Sequence, residues 1–230
     1  MTSSGTYSFE PSFGDLTLNA FARIGLRRTE LTQQHLADAA LESNLVQVEL
    51  SNAQPNLWTA ELESVPLEEG VATYALPARM ISPMAVYLST ASGSGGSTDR
   101  VLFPLSTYEY ASLPDKTVQG PPTSYWYQRS IIPQLHMWPV PDGNSDYTLN
   151  LRILSQLQDA VIPNGVTPNL PYRWMDWFSA RLAHRLSRIY KPELESARKA
   201  DAAEAWANAA KEDIEYTNVY LMPGIGGYYQ

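Results

Sequence analysis

Three histidines, five carboxylates and a group of aromatic residues are the side chains in this sequence whose types and spacing could do chemistry. His35, His136 and His184 fall in different parts of the chain, and none has a second histidine or a carboxylate at metal-ligand spacing, so structural roles are expected of all three. Glu61, Glu63, Glu68, Glu69 and Asp142 lie in the central region. A facing pair among them could supply the acid and the base or nucleophile of a glycosidase, but sequence spacing does not place any two opposite each other. Tyr125, Trp126, Tyr127 and Trp138 could stack on sugar rings, or they could form core and cross-strand pairs. There is no G-x-S-x-G elbow, phosphate loop, H-E-x-x-H helix or dinucleotide fingerprint. The absence of cysteine removes disulfides, thiolate metal sites and cysteine nucleophiles together. The expectation is a protein that is not an enzyme and holds no cofactor. A cell-wall glycan hydrolase or a carbohydrate-binding protein stays open as the alternative.

A different chemistry is written at the C-terminus. Residues 216–230 (YTNVYLMPGIGGYYQ) contain no charged side chain and four tyrosines. A solvated tail is ordinarily charged and poor in aromatics, because it must stay in water without burying apolar area. Three glycines and Pro223 stop a helix, whereas Tyr220, Leu221, Ile225, Tyr228 and Tyr229 offer contact area with few torsions to freeze. These five are expected to dock on a partner, the other possibility being that the segment folds back over its own domain.

The elements that would position these residues change in character along the chain. Residues 1–11 read as an extended arm. Ser12 and Asp15 form a capping pair for a helix over Phe13 to Ile24, with Leu18, Phe21 and Ile24 at helical spacing and Gly25 as its stop. Thr32 caps a second helix to about Asn52, with Leu41, Leu45 and Val48 as its apolar stripe and Leu36, Ala40 and Val46 widening it. From Leu57 onward, short apolar runs separated by Pro, Gly, Ser and Asp predict antiparallel strands: Trp58–Glu63, Val71–Leu76, Ala85–Leu88, Arg100–Phe103, Ser124–Gln128 and 147–153. The last alternates Tyr147, Leu149, Leu151 and Ile153 with polar residues, and its expected partner is Gln134–Val140 across the turn PDGNSD. The stretch 89–98 (STASGSGGST) predicts a flexible hairpin tip without regular structure.

Helices return after residue 171. Trp174, Phe178, Leu182, Leu186 and Ile189 make one stripe from Tyr172 to Tyr190, predicting a helix buried along its length, with Trp177 beside the stripe. A final helix from about Glu193 to Tyr216 carries only a shallow seam of Ala203, Ala207, Ala210 and Ile214, with polar flanks that face solvent or another copy. The predicted class is α+β: a helical bundle from 12–56 and 168–216, an inserted antiparallel β domain over 57–167, sandwich or barrel-like, and a docking tail at 217–230.

Composition sets the outer bounds. With 44% hydrophobic residues in 230, the chain can bury a proper core. It has no apolar run of roughly twenty residues, so no membrane insertion is expected, and its start lacks the regions of a signal peptide, which predicts synthesis in the cytoplasm. The net charge of −8 argues against general affinity for phosphate backbones, so any contact with DNA should be non-adhesive.

The order and spacing of LTLNAFARIG (16–25), EEGVATYALPARM (68–80), FPLSTYEYASLPDKTVQGPPTSYWYQR (103–129), LHMWPVPDGNSDYTLNLRI (135–153) and PNLPYRWMDWFSARLAHRLSRIYKPE (168–193) carry a likeness. Over residues 12 to 216 the chain resembles the head-to-tail adaptors of short-tailed bacteriophages, the tail tubular protein A family. The resemblance implies a structural virion protein without cofactor, made in the host bacterial cytoplasm and placed at the head-tail interface. It implies a homo-oligomeric ring, a dodecamer, between the portal protein and the tail nozzle protein (tail tubular protein B-like), surrounding the path of genomic DNA. In such a ring the alanine seam would pack between copies and the aromatic tail would anchor on the portal.

Overall fold

The Ser12–Asp15 pair forms a reciprocal cap: the Asp15 amide donates to the Ser12 hydroxyl at 3.2 Å and the Ser12 amide donates to the Asp15 carboxylate at 3.0 Å. Two of the first turn's free amides are thereby satisfied. The helix it opens is α1, Phe13–Arg23, and Gly25 follows it with φ +80°. The computed structural model describes residues 5–6, 8–53, 56–91, 95–162 and 165–211. Among them the further helices are α2 (Gln33–Ala53), α3 (Thr107–Ser112), α4 (Met175–Tyr190) and α5 (Glu195–Ala210). The strands are β1 (Ala60–Pro66), β2 (Thr73–Ala75), β3 (Met80–Ala91), β4 (Ser97–Val101), β5 (Phe103–Leu105), β6 (Ser124–Gln128), β7 (Gln134–Trp138) and β8 (Tyr147–Ser155). None of the described helices is long and apolar enough to cross a membrane. The protein is α+β, with helices towards both ends of the chain and an inserted β region, and it divides into two compact units, 1–46 with 160–230, and 47–159.

In the first unit α4 is the hub. Trp174, Phe178, Leu182 and Leu186 are buried as their spacing predicts, with Phe178 edge-on to Phe13 of α1 at 5.7 Å. The Ser179 hydroxyl donates to the Leu16 carbonyl at 3.3 Å, and Arg23 pairs with Asp176. Ile189 departs from the expectation: it is 48% exposed. On another flank of α4, Trp206 of α5 meets Trp174 and Trp177 edge-to-face, each at 5.1 Å. That wedge sets the rotation of α5, whose buried residues are Ala202 and Ala209; Ala203 and Ala207 face outward and Ala210 is half-buried. Ile214 and the end of that helix lie outside the described residues.

The second correction concerns α2. Its inward residues are Ala39, Ser43, Val46 and Leu50, while Leu41, Leu45 and Val48 are 62%, 39% and 56% exposed. Polar bonds explain the rotation. Arg185 of α4 donates to Glu42 at 2.8 Å, Tyr190 donates to Asp38, and the Ala160 amide donates to Asn44 at 2.9 Å. These bonds hold the helix with the Leu41 stripe turned outward.

In the second unit the sheets run β1-β8-β3-β4 and β2-β7-β6-β5. One hydrophobic cluster draws Val86, Leu88, Leu149, Leu151 and Ile153 from the first and Tyr74, Tyr125, Leu135 and Met137 from the second, so the arrangement is a sandwich of two open sheets. β5 runs parallel to β6, which makes the second sheet mixed. β8 does not pair with β7 as the turn signal predicted; it lies between β1 and β3. Pro139 and Pro141 lack the amides a hairpin ladder would need, and Val140 is bonded instead to Val118 and Gly120 at 2.9 and 2.8 Å. The stretch 89–98 is also more ordered than expected at its ends: Ser89, Thr90 and Ala91 pair with Asp99, Thr98 and Ser97, while 92–94 lie outside the described residues. The short helix α3 carries a legible signal that the periodicity reading passed over, a Ser106–Glu109 capping box.

Candidate functional site

The central carboxylates hold turns and strands. Glu61 and Glu63 occupy alternate positions of β1, opposite Ile153 and Leu151 of β8, and both are gripped by Arg79, at 3.3 and 3.1 Å. The Ser155 hydroxyl and the Arg79 guanidinium hold the Glu61 carboxyl below its usual range, the opposite of what a general acid requires. The Asp142 carboxylate accepts from the Asn144 amide at 3.2 Å, from its side chain at 2.8 Å and from the Tyr147 hydroxyl at 3.0 Å, closing the turn before β8. Glu68 presents its backbone to the Tyr74 hydroxyl, and the Glu69 side chain lies against Gly143, where φ is +68° and an added Cβ would sit 2.8 Å from Oε2. Among the described residues no group of three or more His, Asp or Glu side chains could hold a metal ion.

The four aromatics proposed as a sugar platform are engaged elsewhere. Tyr125 belongs to the sandwich core, and Tyr127 packs beside it and donates to the Ile81 carbonyl at 3.3 Å. Trp138 donates to the Asp115 carbonyl at 3.1 Å. Trp126 is stacked by Tyr110 at 4.9 Å and by His136 at 4.6 Å, which are themselves 5.5 Å apart, so the three rings form a cluster, and Lys116 sits 5.7 Å from the Tyr110 ring centre.

His136 sits in that cluster with both nitrogens used. Nε2 faces the Gln128 carbonyl oxygen at 2.9 Å and so carries the proton, leaving Nδ1 to accept from the Thr73 hydroxyl at 2.9 Å. Burial pushes its pKa below the ordinary value. Burial, then Arg181 and Arg188, do the same at His184 against the opposing pull of Glu195. The unfolded chain therefore takes up more protons than the folded one once pH falls below about 6.5. The stability these neutral rings contribute is fully present above that value and is lost as pH falls through their lower folded pKa values. A calorimetric melt is expected to drop as pH falls below about 6.5, the ordinary histidine value, and His136→Phe should flatten the drop in part. An unchanged pH profile in that variant would contradict the assignment. His35 takes a structural place, its Nδ1 accepting from the Thr32 amide at 3.0 Å at the start of α2 while the ring stacks on Tyr190 at 4.5 Å.

What the chain leaves unsatisfied is apolar surface. Phe9 of the arm and Tyr172 are 67% and 74% exposed and meet edge-to-face at 6.0 Å, flanked by open clefts of about 480 and 680 Å³. The stripe on α2 lies open, and so do Val101, Phe103, Tyr108 and Ile131 of the second unit. Such surfaces mark places where other chains bind. Residues 11–220 match the sequence profile of the SU10 adaptor protein family. The chain belongs to that family. No curated protein matches the sequence.

Membership of the SU10 adaptor family supports a phage head-to-tail adaptor role, and the family is a structural one. The adaptor's expected docking residues Tyr220, Leu221, Ile225, Tyr228 and Tyr229 all lie outside the described residues, and of the five only Tyr220 falls within the matched segment. Sequence reading missed the adaptor's outward face on α2, although the signal, a clean Leu41–Leu45–Val48 stripe, was in view; only its direction was wrong.

Proposed function

We propose that the chain forms a twelve-membered ring between the portal protein and the tail nozzle, around the channel through which genomic DNA leaves the head. Family membership over residues 11–220 is the observation that carries this reading. The open apolar faces support it, since an isolated soluble chain gains nothing from exposing them. In this arrangement the aromatic tail anchors on the portal, through Tyr228 and Tyr229 with Tyr220, Leu221 and Ile225 behind them. The net charge of −8 suits a wall past which DNA slides without sticking.

The mass of the chain in solution, with and without purified portal, tests the reading. Co-migration with the portal as a multiple of the chain is expected. A chain that stays monomeric and separate from the portal over the whole concentration range would contradict it.

A further inference from the structure

The outward face of α2 runs Gln34, Ala37, Leu41, Leu45, Val48 and Asn52, at steps of three and four residues. It is a single stripe about 27 Å long without one charged side chain, its centre apolar. Depletion of charge around an apolar centre is the composition of an interface core. The acids of the helix, Asp38, Glu42 and Glu49, all fall on one flank of the stripe, and α2 carries no Lys or Arg.

A fitting counterpart stands on the same chain. The outward face of α5 centres on Ala200, Ala203 and Ala207, with Ala197 and the exposed Glu204 beside them and the exposed bases Lys199 and Lys211 towards the helix ends. Small side chains let a second helix approach closely, so the large residues of α2 can seat between them. Each helix is tied to α4 away from the centre of its outward face, α2 by the flanking Glu42–Arg185 pair and α5 by Trp206.

We infer that the Leu41–Leu45–Val48 face of one copy packs on the Ala200–Ala203–Ala207 face of α5 in the next copy. The contact joins two different surfaces, so it repeats head to tail and each copy takes part twice, as a closed ring requires. The inference rests on the ring reading proposed above and names the surfaces that would build it.

The chain has no cysteine, so introduced ones report on this contact alone. Leu45→Cys protein is mixed with Ala200→Cys, Ala203→Cys or Ala207→Cys protein in turn, assembled on purified portal, and oxidised. At least one mixture is expected to give disulfide-linked dimers, with none from any variant alone. A chain carrying both cysteines of the reactive pair should give a ladder of multimers. Independently, Leu41→Glu with Leu45→Glu, both at exposed positions, should keep the melting temperature and reduce the assembled fraction about tenfold or more. Assembly on the portal with no cross-link in any mixture would overturn this inference and leave the ring reading standing. Cross-linking by Leu45→Cys alone would replace it with a two-fold contact. If the wild-type chain does not assemble on the portal, both readings fall.

Discussion

Removal of residues 217–230 is expected to abolish attachment to the portal while leaving the melting temperature unchanged. The two effects separate because the described helical unit closes its core without the tail: Trp174, Phe178, Leu182 and Leu186 are buried among α1, α4 and α5, and Trp206 is the last large side chain that α5 sets against α4. A buried aromatic anchor contributes about 2 kcal/mol when it fills a pocket, and the chain offers Tyr228 and Tyr229 side by side. In a ring, the first tail to dock raises the effective concentration of the rest, so a per-copy loss is multiplied over the assembly. Double substitution of Tyr228 and Tyr229 by Ala should lower portal binding by orders of magnitude with no shift in the melt. Pull-down and calorimetry on the truncated and substituted chains check both halves. Normal attachment after truncation, or unfolding on truncation, would show that the tail belongs to its own domain.

The second large effect concerns stability. Trp206→Ala should cost about 3 kcal/mol, the low end for loss of a large aromatic, since Trp206 is half-buried while Trp174 and Trp177 are wholly so. Both partner rings lose an edge-to-face neighbour at 5.1 Å, and α5 loses the one large side chain that fixes its rotation. For a chain of this size the melting temperature should fall by roughly 6–12 °C, with Trp206→Phe recovering most of it. If α5 rotates freely in Trp206→Ala, the outward alanine face is lost as well, and ring assembly should weaken beyond what the melt accounts for. A melt within about 1 kcal/mol of wild type would mean that α5 is held by something other than the tryptophan wedge.

How far the sequence could be read follows from which signals are local. Ser12 with Asp15 and Gly25 bracket α1 to within a residue, and the alternation of Tyr147, Leu149, Leu151 and Ile153 identifies the buried face of β8, because caps and periodicity are properties of a few consecutive residues. Strand partners are not local. The PDGNSD turn suggested a β7–β8 hairpin, yet Pro139 and Pro141 break the ladder and the bonding of Val140 to Val118 and Gly120 carries the chain from one sheet to the other. Stripes on helices were found but not aimed. Periodicity cannot distinguish a face that packs inside the fold from one that waits for another chain, and at α2 the choice was made by Glu42, Asp38 and Asn44 bonding to distant residues. The one-residue error on α5 has the same origin, since Trp206 was not counted in its seam. At the candidate site, the carboxylates and aromatics needed their partners in view: Arg79 between Glu61 and Glu63, and the Tyr110–Trp126–His136 cluster, join residues that the sequence keeps apart.

The central claim is an adaptor seated between portal and nozzle. An electron-microscopy map of the chain assembled with its portal and nozzle proteins tests it most directly. A ring of twelve copies in register with the portal is expected, open along its axis and in contact with a nozzle protein on the far side. A map in which portal and nozzle join directly, with this chain absent or bound singly at the periphery, would contradict it.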